Sequence, residues 1–250
     1  MSEQQSRRDE LDRALSAVRS RIEAACAAAG RDSHELALIV VTKYFPASDV
    51  LLLHELGARH FGENRDQEAG EKFEQVRAEL GDRADLTVHF IGQLQTNKAG
   101  HVASYADVVQ SVDRTRLVAA LARGAQSAGR TLDVLLQVDL DADTDTGAGG
   151  GNGGAGRGGV APEAVDELAD AVAAQEPLRL RGVMAVAPRD ADPDEAFARL
   201  RDVGDRIRAR HADATWVSAG MSGDLEAAVR HGATHLRVGT AILGSRPSPL

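Results

Sequence analysis

Three lysines occur among the 29 basic side chains of this sequence, and one of them closes an apolar run. In "IVVTKYFPASDV" (residues 39–50), β-branched residues lead into Lys43, followed by two aromatic residues, a proline and a polar turn. In an extended strand, Ile39, Val41 and Lys43 share one face, and Val40 and Thr42 share the other. An amine that faces a packed interior is partly desolvated, which favours the neutral form. A neutral lysine attacks an aldehyde and condenses to a Schiff base. The competing reading is a solvated loop lysine.

A second group of residues lies near the end of the chain. "SAGMSGDLEAAVRHG" (218–232) reads as a strand end, a small-residue turn and a helix, with Ser222 at the N-cap position and Asp224 and Glu226 in the first turn. Free backbone N–H groups at such a start attract an anion. "LRVGTAILG" (236–244) follows as a strand that ends in Gly239 and Thr240. The glycine admits a ligand close to the backbone, and the threonine adds a hydroxyl donor. These pieces form an expected phosphate cup.

The elements between them decide whether amine and cup can meet. Strand-like segments fall at 36–43, 59–63, 86–92, 107–112, 133–140, 179–186, 214–220 and 235–241, each but the last followed by a helical stretch. Strict strand–helix alternation implies a parallel sheet. Eight units in 250 residues suit an α/β fold of the closed (β/α)8 TIM barrel type. The rival is an open doubly wound sheet, disfavoured because no dinucleotide fingerprint follows the first strand. A barrel binds ligands at the C-terminal ends of its strands, often with phosphate at the last two loops, and closure makes the first and last strands neighbours. A ligand with an aldehyde and a phosphate is pyridoxal 5′-phosphate (PLP). Arg237, on the same face as Gly239, would approach its pyridine nitrogen.

Composition narrows the partners. Acidic residues outnumber basic ones by 38 to 29, for a formal charge of −9, which disfavours nucleic acid and anionic membrane surfaces. One cysteine, Cys26, a charged N-terminus and the lack of a long apolar run fit a soluble cytoplasmic protein. The eight histidines show no tight metal spacing, so no metal site is expected. Trp216 is expected in the core. The chain reads as one barrel domain over 1–250. Residues 1–30 supply an N-terminal helix, with Leu11, Leu15, Val18, Ile22 and Ala25 at helical spacing. Residues 141–159 form a flexible glycine-rich insertion. Within it, "GNGGAG" matches a dinucleotide pattern without the strand-to-helix turn that gives it meaning. "DADTDTG" resembles a calcium loop whose glycine is one place late.

At the level of motifs, the chain resembles the YggS/PROSC family of PLP-binding proteins, also called PLP homeostasis proteins. The matching stretches are "VVTKYFPASDV", "FGENRDQE", "HFIGQLQTNK", "SVDR", "LRGVMAV" and "SAGMSGDLEAAVRHGATHLRVGTAILG". The resemblance implies a barrel similar to the N-terminal domain of alanine racemase. It implies that Lys43 carries PLP as a Schiff base, that Ser222, Gly239 and Thr240 hold the phosphate, and that Arg237 lies near the ring nitrogen. Asn64 and Met221 are implied as further pocket residues. The family is linked to intracellular PLP balance. The sequence departs from the family after the fifth strand, where "RGGV" (157–160) stands in place of a short K-S-G-like turn.

A PLP enzyme also needs a second acid–base group at the substrate. Racemases of this fold take a tyrosine from a second domain, and the chain leaves about nine residues beyond the last expected strand. Tyr44 and Tyr105 are not evident substitutes. An arginine at the ring nitrogen also disfavours the protonated ring, the better electron sink. The expectation is a PLP carrier or regulator with no catalytic residue, a monomer that hands PLP to apo-enzymes. A weak amino-acid racemase or other PLP enzyme is the alternative, and a sugar-phosphate aldolase or isomerase is the third.

Overall fold

The computed structural model describes residues 3–141 and 158–245. The chain opens with helix α1 (Glu3–Ala28) and then alternates: β1 (Ala37–Val41), α2 (Ala47–Glu55), β2 (His60–Glu63), α3 (Asp66–Leu80), β3 (Thr87–Phe90) and α4 (Ala99–Tyr105). It continues through β4 (Val108–Val112), α5 (Thr115–Ser127), β5 (Leu132–Gln137), α6 (Val165–Ala173), β6 (Leu178–Met184) and α7 (Pro193–Arg210). The last units are β7 (Trp216–Ser218), α8 (Leu225–Arg230), β8 (His235–Val238) and a four-residue α9 (Thr240–Leu243). Most of the glycine-rich stretch expected at 141–159, residues 142–157 with "GNGGAG" and all of "DADTDTG" but Asp141, lies outside the described residues.

All eight strands are parallel and close into a barrel in sequence order. Closure pairs β1 with β8, with Ile39 beside Arg237 and Val40 beside Val238. Six strands fall inside their expected segments and β5 and β6 begin one residue earlier, because short β-branched runs bounded by polar turns are strong signals in a buried parallel sheet. Most C-terminal ends come earlier than expected. Thus β1 stops at Val41 rather than Lys43, and β8 stops at Val238, where Gly239 (φ −117°, ψ −81°) turns the chain into α9.

The main apolar core lies between the strands and the helical ring. It includes Val40, Phe61, Val88, Val109, Val134 and Leu236 from the strands, and Phe73, Leu121 and Phe197 from the helices. One stripe of α1 (Leu11, Leu15, Val18, Ile22, Ala25 and Cys26) is buried in the same core. Cys26 is a free, buried thiol.

The barrel interior is different. A small apolar layer of Val108, Leu135 and Met184 has Trp216 packed against it. Trp216 is only half-buried, because it lines the N-terminal end of the barrel; the expectation of a core position is corrected accordingly. Gly182 lets β6 pass its neighbour: at φ +146°, an added Cβ would stand 1.9 Å from the Trp216 carbonyl oxygen. The rest of the interior is polar, with His89, Gln110, Ser218, His235 and Arg237 all buried. Among the described residues, no helix is long and apolar enough to cross a membrane.

Candidate functional site

Lys43 sits at the C-terminal mouth. Thr42 still pairs with β2, its N–H donating to the Gly62 carbonyl at 3.0 Å, and the chain then turns. Tyr44 makes that turn in the left-handed region (φ +70°), a conformation that costs an L-residue about 1–2 kcal/mol. Lys43 is half-buried, and its amine makes no hydrogen bond or ion pair with the described residues.

Gly239 leaves β8 beside it. A Cβ there would meet the Val41 carbonyl oxygen at 3.2 Å and the Val41 Cβ at 3.3 Å, so this position admits no larger residue without displacement. Gly239 is the N-cap of α9. The N–H groups of the next two residues, Thr240 and Ala241, therefore face outward with no acceptor inside the helix. The register places the Lys43 turn and this amide cluster side by side at one end of the barrel.

Ser222 has another place than expected. Asp224, not Ser222, occupies the N-cap position of α8, and that helix has only six residues. The Asp224 carboxylate turns back to accept the Met221 N–H at 2.6 Å, forming a tight turn with Ser222 at its tip. Arg21 of α1 grips this turn from outside, donating to the Ser222 carbonyl at 2.7 Å and, through two nitrogens, to Glu226 at 2.6 Å each. The Ser222 hydroxyl makes no bond with the described residues, and Met221 is 39% exposed. Asn64 follows β2 at the same mouth, and its buried Oδ1 has no partner among the described residues.

Arg237 lies deeper, wholly inside the barrel. Its Nη1 donates to Ser218 Oγ and its Nη2 to the Ala185 carbonyl, both at 2.7 Å. Nε makes no hydrogen bond with the described residues. Burial pushes the guanidinium down to about 10, with the Asp224 carboxylate opposing the shift. The anchoring continues across the barrel: Ser218 Oγ donates to Gln110 Oε1 at 2.7 Å, Gln110 Nε2 to His89 Nδ1 at 3.0 Å, and His89 Nε2 lies 3.1 Å from His60 Nδ1. Arginine can only donate, so every bond in this chain runs away from it. That direction places the hydrogen of His89 on Nε2 and leaves His60 Nδ1 as an acceptor.

His60 and His235 then line a cavity of about 890 Å³ at the opposite, N-terminal end. Burial lowers all three rings, helped by their mutual repulsion at His89 and His235; His235, which also feels Arg237 and Arg181, is pushed down to about 3. Among the described residues, no group of three or more His, Cys, Asp or Glu is placed to hold a metal ion.

Sequence reading missed Ser218, Gln110 and His89. The signal was present: polar residues recur at every second place inside otherwise apolar strands, as His60 in "HFGE", His89 in "TVHF", and His235 and Arg237 in "HLRV". Period-two polarity in a parallel barrel marks an inward-facing polar layer.

Fold and site thus define a (β/α)8 barrel with an amine and a glycine–threonine turn side by side at the C-terminal ends of its first and last strands. The family model for the alanine racemase N-terminal domain matches residues 14–247. The pyridoxal phosphate homeostasis protein of Mycobacterium tuberculosis is 45% identical, over 96% of this chain and 94% of that protein. PipY of Synechococcus elongatus, solved with PLP bound, is 30% identical with a TM-score of 0.74, over 94% of this chain and 100% of that one. Alanine racemase of Corynebacterium glutamicum shares the fold at a TM-score of 0.64 and 16% identity, and this chain spans 62% of it. The chain belongs to the alanine racemase N-terminal domain family, alongside the proteins named for pyridoxal phosphate homeostasis.

Proposed function

We propose that the chain binds PLP at the mouth between β1 and β8 and acts in intracellular PLP homeostasis as a carrier or regulator. In this reading Lys43 holds the aldehyde as a Schiff base. Thr240, the Gly239 turn and Ser222 hold the phosphate, Met221 and Asn64 border the pocket, and Arg237 faces the ring nitrogen. The observation that carries the proposal is the pairing of an unpartnered amine at the end of β1 with the amide cluster at the end of β8.

The residues present fit the group. Gly239 turns the chain from β8 into α9, which leaves the Thr240 and Ala241 N–H groups without an acceptor inside the helix. Arg237 keeps Nε free while two anchors fix its plane, so it can meet a ring nitrogen that stays unprotonated. The orphaned Asn64 Oδ1 awaits a polar partner. The cofactor's aldehyde supplies a reversible covalent handle, and its ring supplies electron-withdrawing capacity. The protein's own part is to grip, orient and release. The relatives are named for homeostasis of the cofactor rather than for a reaction, which supports a carrier. Hand-over to PLP-dependent apo-enzymes, a monomeric state, one PLP-binding unit and a cytoplasmic location belong to the same proposal.

The test is a PLP titration of the purified chain and of Lys43→Ala, followed by visible absorbance. The expected outcome is a saturable imine band in the parent and none in the variant, with no amino-acid turnover by either. Racemisation by the parent that disappears in the variant would replace the carrier by an enzyme.

A further inference from the structure

The turn that presents Lys43 is tied down from both sides by a cluster that lies behind it. The Lys72 amine, on α3, is buried and donates to the Thr42 carbonyl at 2.9 Å, to Glu63 Oε1 at 2.8 Å and to Glu68 Oε1 at 3.2 Å. The Thr42 hydroxyl donates to the same Glu63 oxygen at 2.8 Å. On the other side of Lys43, the Tyr44 N–H donates to Glu68 Oε1 at 2.5 Å. The residues immediately before and after Lys43 are therefore attached to one set of three charged side chains.

Two features show that this cluster sets a geometry. Tyr44 is the one non-glycine residue with positive φ among the described residues, and its N–H is held in that conformation by Glu68. A left-handed residue persists only where its surroundings over-determine it. Glu63 is also fully buried, and burial pushes its carboxyl upward against the opposing pull of Lys72. Such a pair keeps its charges only while both members stay in place. All three hydrogens of the Lys72 amine have acceptors, so this second lysine is enclosed and not presented to a ligand.

We propose that Glu63, Glu68 and Lys72 are positioning residues that aim the Lys43 amine at the aldehyde of a bound PLP. The inference rests on Lys43 being the Schiff-base residue. In the step it serves, the neutral amine adds to the aldehyde carbon, and loss of one water leaves the C=N bond. None of the three residues touches the reacting atoms. The phosphate cradle lies on the β8 side, and the cluster lies on the β1–α3 side. Covalent capture and phosphate grip are thus separable, and the cluster controls the first.

The experiment compares PLP with pyridoxine 5′-phosphate, an alcohol that cannot form an imine. Glu68 is a quarter exposed, so Glu68→Ala spares the core. Glu68→Ala is expected to slow imine formation at least about tenfold while pyridoxine 5′-phosphate affinity stays within about twofold. Glu68→Gln keeps a carbonyl acceptor for the Tyr44 N–H and is expected to recover most of the rate. Lys72→Met, if it folds, is expected to act in the same direction as Glu68→Ala. An unchanged rate in Glu68→Ala overturns the proposal, as does parallel loss of both ligands with no rescue by glutamine. An imine that survives Lys43→Ala instead overturns the assignment of Lys43. That outcome is distinct from an imine on Lys43 that forms at full rate in Glu68→Ala.

Discussion

Replacing His235 with glutamine changes how the barrel responds to acid, by an amount set by the ring's surroundings. His235 is buried, stands 4.5 Å from the Trp216 ring between centroids, and is pushed from 6.5 down to about 3. Below 6.5 the unfolded chain takes up a proton that the folded barrel refuses. Stability therefore falls as pH falls, beginning near 6.5 and continuing until the folded ring titrates near 3. Between about pH 7 and about pH 5 the loss from this one ring is about 2 kcal/mol. Glutamine has a similar polar reach and no proton to gain, so the variant escapes that loss. His60 and His89 add losses of the same sign, and Glu63, whose carboxyl is raised, adds a gain as pH approaches its folded value. To first order these contributions are common to both proteins and cancel in the difference. Urea unfolding of the ligand-free proteins, followed by the single tryptophan, measures that difference directly. The stability of the variant relative to the parent should rise by about 2 kcal/mol between about pH 7 and about pH 5. A difference constant to within about 0.5 kcal/mol would mean that the ring titrates as if in water, and would refute the reading of a dry histidine layer.

Three further outcomes follow from contacts in the barrel. Ser218→Ala leaves a buried Arg237 N–H and Gln110 Oε1 without a partner, and should cost about 2–4 kcal/mol in denaturant unfolding. Gly182→Ala would drive a Cβ to 1.9 Å from the Trp216 carbonyl oxygen at a φ of +146°, so little folded protein is expected by circular dichroism. Gly239→Val fills the space beside Val41, and should weaken binding of pyridoxine 5′-phosphate at least about tenfold while costing about 1–3 kcal/mol of stability.

The architecture was legible because alternation of short apolar strands with amphipathic stretches leaves few options. Strand boundaries were less so: a β-branched run shows where a strand begins, but Val41 and Val238 end theirs through turns made by Tyr44 and Gly239. The same limit explains Ser222. Its type suits an N-cap, but Asp224 two residues later folds back onto Met221 and takes the position, which only the three-dimensional turn reveals. Lys43 and the Gly239–Thr240 turn could be paired in advance because barrel closure is a topological rule. The anchors of Arg237 could not, since Ser218, Gln110 and His89 lie on three different strands and meet only inside the closed barrel. The cluster around Lys72 was hidden for a similar reason: its partners come from the turn after β1, from β2 and from α3.

The central claim is that one amine, at the end of β1, captures PLP. Borohydride reduction of the PLP-loaded protein, followed by proteolysis and mass mapping, tests it most directly. A single phosphopyridoxyl adduct is expected on Lys43, in the peptide containing "VVTKYFPASDV". An adduct confined to Lys72 or Lys98, or the same adduct yield in Lys43→Ala, would contradict it.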